Sequence, residues 1–386
     1  MSRLNTLTFT ATLLVALISA LLYKQHSHHL QLFTTVTAPA YLLTTAKDLS
    51  GSLFSSILSP NNKIQAQQPV TRAQDNTSPA AMSAAVPRTI RKVFLAAETA
   101  EGVGATVRRS IGTPHLRNFT PFLMLDHFSV KPGAGFPDHP HRGQETITYL
   151  LHGGVDHEDF AGNKGSLNAG DLQFMTAGKA VVHAEMPRQN ADGSANTGLQ
   201  LWVDLPKDLK ACEPRYRDLR AAEIPSVDAD DGRVTVKVIS GQSHGVDSVK
   251  DLAYTPVWLL DVTIRPGGKI TQPLPAGWNA FAYVLEGSAT FGKEGAIDRQ
   301  LVEQYNNVVF NQEGDEVYIE SASSDEDVRL VLVAGTPLDQ DIVQYGPFVL
   351  TSKQEVYQAL MDYQTFSNGF ERAKNWKSEI GKSMVH

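Results

Sequence analysis

The stretch "DHPHRGQE", residues 138 to 145, sets His139 and His141 one residue apart at the entry to a β-prone run. Successive side chains of a strand alternate faces, so residues i and i+2 point the same way and can share one partner. His183 and Glu185, in "VVHAEMP", repeat that spacing. Three imidazoles and one carboxylate make a mixed nitrogen and oxygen donor set suited to a redox-capable divalent metal, Fe(II) foremost, with Mn, Co, Ni, Cu or Zn able to compete. Four protein ligands leave up to two positions of an octahedron for a bidentate substrate or dioxygen, whereas a structural zinc site is normally closed and tetrahedral. The expectation is a metal site at His139, His141, His183 and Glu185.

The polar residues nearby support weaker readings. Glu145 lies four beyond His141, which places it either behind a histidine as an orienting partner or in an ion pair with Arg142. His152 and His157 flank "GGVDHED" and read as surface or turn residues. His127 suits a pocket or a satisfied core position equally, and Trp202 and Cys212 read as packing.

The elements that must position these groups are short strands. From Thr89 to about Leu350, runs such as "ETITYLL", "LQFMTA", "GLQLWVDLP", "NAFAYVLEGSATF" and "VRLVLVAG" alternate with Gly, Pro, Asn and Asp turns, the pattern of a sandwich or barrel. Helical spacing appears only at the end, where Val356, Leu360 and Tyr363 share a face and the helix is expected to break near Asn368-Gly369. The strand region also repeats. "KPGAGFPDHPHRGQETITYLLHGGV" overlays "RPGGKITQPLPAGWNAFAYVLEGSA" at a spacing of 134, matching Gly143 to Gly277, Tyr149 to Tyr283 and Gly153 to Gly287. "FMTAGKAVVHAE" overlays "FNQEGDEVYIES" at a spacing of 136. Two homologous β-domains are the economical explanation. In this alignment His139, His141, His183 and Glu185 become Pro273, Pro275, Ile319 and Ser321, so the scaffold glycines persist while the polar set is lost. Residues required by the fold alone would persist in both copies, which marks the four as chemistry.

The 386 residues are 42% hydrophobic and 19% charged, with a formal net charge of −7. This is a globular composition that offers no general attraction to nucleic acid, so direct nucleic-acid binding is not expected. The single cysteine, Cys212, rules out an intrachain disulfide and a sulfur-rich zinc site. Residues 1–81 differ from the rest. No charge interrupts Leu4 to Tyr23, and a Ser- and Thr-rich segment without acidic residues before Asp48 follows. The run suits a signal peptide, a signal anchor or a mitochondrial presequence equally. A Pro-, Ser- and Gln-rich linker then leads to Met82, from which a shorter complete folded unit could start. The expected division is an extension over 1–81, a metal-binding domain over 82–225, a second domain without ligands over 226–350 and a helical tail over 351–386. A start at Met82 implies cytoplasm and nucleus. Retention of the extension implies a mitochondrial or membrane-anchored protein.

With "FLMLDHF", "FPDHPHRGQETITYLL", "GSLNAGDLQFMTAGKAVVHAEMP", "GLQLWVDLP" and the tail "GFERAKNWKSEIG" in hand, the chain resembles the pirin family of the cupin superfamily over roughly residues 88 to 381. Gly133, His139, His141 and Glu145 meet the cupin pattern G-x5-H-x-H-x3-E, while the next glycine comes one position late at Gly153 and Thr176-Ala177-Gly178 replaces Pro-x-Gly. The resemblance implies an all-β monomer of two tandem cupin barrels, a bicupin, with a short C-terminal helix. It also implies iron in the first barrel on His139, His141, His183 and Glu185, and none in the second. Members are described both as quercetin 2,3-dioxygenases and as redox-sensitive nuclear cofactors of transcription regulators. The first role implies a flavonol held by its 3-hydroxyl and 4-carbonyl region, with Glu185 as general base. The alternative implies a non-enzymatic iron sensor that binds a transcription regulator.

Overall fold

The computed structural model describes residues 85–101, 104–250 and 252–383. The apolar run at 4–23, the linker up to residue 84 and the question of a start at Met82 lie outside them. Four large antiparallel sheets form two barrels of the same plan. In the first, a seven-stranded sheet runs in the order Arg215–Leu219, Leu172–Thr176, Gln144–His152, Asn196–Asp204, Phe122–Val130, Ala105–Arg109 and Glu98–Glu101. A four-stranded sheet of Phe136–His141, Val181–Pro187, Gly154–Asp159 and Lys164–Asn168 completes it. The second barrel repeats the order with Ile90–Leu95, Asn306–Phe310, Asn279–Glu286, Val328–Gly335, Val257–Ile264, Val234–Ser240 and Ser226–Ala229. Its smaller sheet is Lys269–Pro273, Glu316–Ser321, Ser288–Phe291 and Gln300–Glu303.

One strand departs from chain order. Ile90–Leu95 precedes the first barrel in sequence, yet it pairs with Asn306–Phe310 and supplies the edge of the second barrel's large sheet. In the first barrel the equivalent edge is Arg215–Leu219, which follows it in sequence. Propensity marks both as strands, but partner choice lies in tertiary packing, so a division of the chain at one point per domain misplaces residues 90–95.

The two large sheets pack face to face. Along Gln144–His152 the period of two sends Ile147 and Tyr149 into a shared core with Phe281, Tyr283, Val331 and Val333 of the second barrel. Each fully buried side chain of that size contributes about 1.5–3 kcal/mol. Polar ties cross the same interface. The Tyr149 hydroxyl donates to Asp261 at 2.7 Å, and Arg329 donates to the same carboxylate at 3.0 and 2.8 Å.

After the second barrel the chain returns to the first. Strands Val343–Tyr345 and Phe348–Leu350 lead into the one α-helix among the described residues, Lys353–Thr365, capped by Ser352, whose hydroxyl accepts from the Glu355 N–H. The helix ends three residues before the expected break because Phe366 turns left-handed at φ 52°. Phe348, Leu350, Val356, Ala359 and Phe370 pack on Ala180 and Val182 of the first barrel. Buried Arg142 donates to Asp362 at 2.7 Å and to the Asn368 carbonyl at 2.7 Å, locking the tail down. The tail also fixes a glycine: Gly143 has φ 81°, and a Cβ there would collide with the Val349 carbonyl oxygen.

Candidate metal centre

His139 and His141 leave the strand Phe136–His141 on one face, as their spacing requires. The neighbouring antiparallel strand sets His183 opposite His139. The three imidazoles converge, with ring centroids 4.4 Å apart for His139 and His183 and 4.9 Å for each of the other pairs. One nitrogen from each lies within 4.8 Å of the others, and Nε2 of His139 is 2.9 Å from Nε2 of His183. His141 and His183 are buried and His139 is half-buried. Burial, and after it the neighbouring imidazoles, pushes the pKa of His141 and His183 well below the ordinary histidine range. Both are therefore neutral at pH 7, the form that ligates a metal.

The outer nitrogens show how the rings are held. His139 Nδ1–H donates to the Pro137 carbonyl at 2.8 Å, which directs Nε2 into the cluster. The Gln144 side-chain nitrogen Nε2 lies 2.7 Å from His141 Nδ1, and Gln144 Oε1 is buried without a partner. With the amide oxygen turned to that ring nitrogen, it accepts Nδ1–H and leaves His141 Nε2 free to ligate. His183 Nδ1 and Trp202 Nε1 are also buried without partners. Buried polar groups are ordinarily satisfied. Three converging imidazoles, two of them held neutral by burial, fit a bound divalent metal.

Glu185 is placed differently. A bulge in Phe136–His141 makes the ladder step from His183 opposite His139 to Glu185 opposite Phe136. Its carboxylate lies outside the three-histidine cluster, buried in the wall, where Thr148 Oγ1 and Gln200 Nε2 each donate to it at 3.3 Å. It lines the same cavity as His139 and His141. That cavity measures about 350 Å³, has apolar walls of Val107, Met124, Phe128, Phe136 and Trp202, and is rimmed by Glu101, Arg109 and Asp138.

Several sequence expectations change here. Glu145 neither orients a histidine nor pairs with Arg142. Residue 143 is a turn between two strands, so the alternation restarts and Glu145 faces the second barrel. There it accepts from Thr176 Oγ1 at 2.7 Å and from the backbone N–H groups of Tyr254 and Thr255 at 3.0 and 3.1 Å. Gln144 takes the place behind His141, and counting the period of two from Gly143 would have found it. His157 is no surface residue. It is 6% exposed inside the first barrel, with Gln173 Nε2 at 2.8 Å and Asp218 at 3.3 Å. His152 is exposed, as expected, beside Ser194. His127 packs between the barrels, with Nδ1 3.1 Å from the Tyr283 hydroxyl, and burial lowers its pKa to about 4. Trp202 does more than pack, since its ring lies 5.3 Å from His141 and lines the cavity. Cys212 is half-buried, and burial pushes its thiol pKa up.

The second barrel also needs a corrected alignment. Read through the strand ladders, Glu185 pairs with His157 as Ile319 pairs with Phe291. Likewise His183 pairs with His139 as Val317 pairs with Gln272. The counterparts of His139, His141, His183 and Glu185 are therefore Gln272, Leu274, Val317 and Ile319, all buried. An alignment pinned on turn glycines slips by one residue in the first segment and by two in the second, because the turns differ in length between the barrels.

Two antiparallel barrels of one plan, one of them presenting three inward histidines, define a bicupin. The comparisons agree. Residues 104–203 match the family model Pirin, and residues 259–369 match the Pirin C-terminal cupin domain. The human protein Pirin is 47% identical over 288 residues, covering 74% of this chain and 96% of that one. Pirin-like protein 2 of Arabidopsis thaliana is 45% identical over 290 residues, 75% of this chain and 88% of its own. Among solved structures, a quercetin 2,3-dioxygenase from Acinetobacter baumannii superposes with a TM-score of 0.66 at 27% identity, covering 73% of this chain and 98% of that one. The chain belongs to the pirin family.

Proposed function

We propose that the protein is an iron-dependent dioxygenase of flavonol-like substrates, with Fe(II) held by His139, His141 and His183 and joined by the Glu185 carboxylate from the adjoining cavity wall. The observation that carries this reading is the set of three convergent imidazoles at one end of an apolar-walled cavity of about 350 Å³. The likeness to a quercetin 2,3-dioxygenase supports it. A bound divalent ion supplies a Lewis acid that lowers the pKa of a substrate hydroxyl and a redox centre for dioxygen. The protein supplies the rest. Val107, Phe128, Phe136 and Trp202 flank flat aromatic rings and exclude water. Gln144 and the Pro137 carbonyl fix two of the imidazoles. The Glu185 carboxylate, oriented by Thr148 and Gln200, takes the hydroxyl proton.

The second reading is a redox-sensing iron protein that binds a transcription regulator. The charged rim of the same cavity favours it, where Glu101, 46% exposed, keeps part of its carboxylate open beside its ion pair with Arg109. For either role we place the protein, as a monomer, in cytoplasm and nucleus when residues 1–81 are absent, and at a mitochondrion or membrane when they are retained. The test is oxygen consumption by the Fe(II)-loaded chain on addition of quercetin, with His139→Ala beside it. Rapid uptake that disappears in the variant is expected. Stoichiometric iron without uptake would overturn the dioxygenase reading in favour of the sensor.

A further inference from the structure

Beside the metal cavity lies a second cleft of about 460 Å³, lined by Arg109, Arg117, Asn118 and Met124 of the first barrel and by Gln344 of the returning chain. Arg109 and Met124 line both spaces, so the two open side by side with these side chains between them. Their chemistry differs. The metal cavity is mostly apolar and carries Glu101, Asp126, Asp138 and Glu185, whereas the cleft has two arginines and no carboxylate in its lining.

The two arginines also differ. Asp126 pins Arg109 through Nε at 2.8 Å and Nη2 at 2.7 Å, and Glu101 accepts from Nη2 at 3.3 Å. That pair is internally neutralised and holds the guanidinium still between the two spaces. Arg117 is exposed, and among the described residues its side chain, like that of Asn118, has no hydrogen-bond or ion-pair partner. A free guanidinium offers five donors in a fork that matches a carboxylate, sulfate or phosphate, and Asn118 adds amide donors. A neutral polyphenol confined to the metal cavity would leave both unused.

From this juxtaposition we propose that the cleft is an anion subsite, and that the protein takes aromatic ligands bearing an anionic substituent, such as a sulfate ester or a glucuronate of a polyphenol. Their rings occupy the metal cavity and the negative group crosses Arg109 to reach Arg117 and Asn118. The proposal deepens the substrate class of the reading above and rests on its assignment of aromatic rings to the metal cavity. It does not require turnover.

The test is therefore a binding measurement on the metal-loaded full chain with two probes that share a naphthyl-phenylamine frame: 8-anilinonaphthalene-1-sulfonate and the uncharged N-phenyl-1-naphthylamine. We expect the sulfonate to bind roughly tenfold tighter, a margin typical of one charge-assisted contact, and the margin to shrink as salt rises. Arg117→Gln, a change at an exposed side chain, should erase the margin while leaving the uncharged probe unaffected. Met124→Trp, between the two spaces, should weaken both probes. Equal binding of the two probes to the parent chain, or a margin that survives Arg117→Gln, overturns the subsite. Displacement of the sulfonate probe by a flavonol sulfate or a flavonol glucuronide identifies which anion is preferred. Displacement by the uncharged flavonol alone overturns the proposal and leaves the dioxygenase reading standing, whereas a failure of oxygen uptake with intact sulfonate preference does the reverse.

Discussion

The two barrels share strand order, turns and a long interface, yet one is filled and the other is hollow. Inside the second barrel Leu260, Val262, Ile270, Leu274, Phe291, Val302, Phe310, Val317 and Ile319 form one apolar core. Its single polar counterpart to a ligand, Gln272, is satisfied by the Ser243 hydroxyl at 2.7 Å and by backbone carbonyls. Inside the first, the apolar cluster is small, centred on Val107, Phe128, Leu150 and Val155. The remaining volume goes to histidines, Glu185 and a cavity. The fold tolerates this because the stabilising work is divided. The second barrel and the interface bury the large apolar surfaces, and the first barrel can then carry buried polar groups and empty space that would be costly in a lone domain.

The sharpest way to break that division is to remove a ligand. His139→Ala should reduce bound iron from about one per chain to near zero and abolish oxygen uptake, with thermal stability of the iron-free proteins nearly equal because His139 lies at a cavity wall. Iron analysis beside thermal melting checks both. A variant that keeps its iron would show that the site lies elsewhere.

Turnover should separate from binding at Glu185. Glu185→Gln is expected to retain much of the iron and lose about a hundredfold or more in kcat, the scale of a lost general base. Unchanged kcat in steady-state assays would remove the base role.

Stability should respond in the opposite place. Phe291→Ala in the packed barrel should cost about 3–5 kcal/mol in denaturant unfolding. Val107→Ala, at the wall of a cavity that already exists, should cost markedly less. Equal costs would mean that the first barrel is as tightly packed as the second.

Gln144→Leu tests the support behind His141 and should weaken iron binding about tenfold to a hundredfold without changing the fold. The same change at Glu145 should leave iron affinity alone and loosen the contact between the barrels.

The smallest effect is a pH dependence confined to the tail. Burial alone would raise the Asp362 pKa, but hydrogen bonds from Arg142, Gln358 and Asn368 hold it below the ordinary aspartate range. Its contribution is therefore fully present above the unfolded aspartate pKa, near 4, and is lost as pH falls towards the lower folded value. Asp362→Asn should flatten that acid limb, read as tail protection in hydrogen exchange, while the second barrel keeps its acid profile.

Much of this was legible in the residues. The period-two spacing of His139 with His141, the same spacing in His183 and Glu185, and the repeat that lacks them determined an all-β pair of barrels and, in the first, three histidines that could hold a metal. Those are local facts, because alternation along a strand and the glycines of its turns are properties of a few consecutive residues. What only the tertiary structure decided depends on which strands become neighbours. A turn at Gly143 reverses the facing of Glu145 and brings Gln144 behind His141. A bulge in Phe136–His141 sets the Glu185 carboxylate in the wall, apart from the three rings. Residues 90–95 cross to the other barrel, His157 and Trp202 turn inward, and the tail closes over Arg142. Partner choice and register are settled by packing across hundreds of residues, and no short window of sequence contains that information.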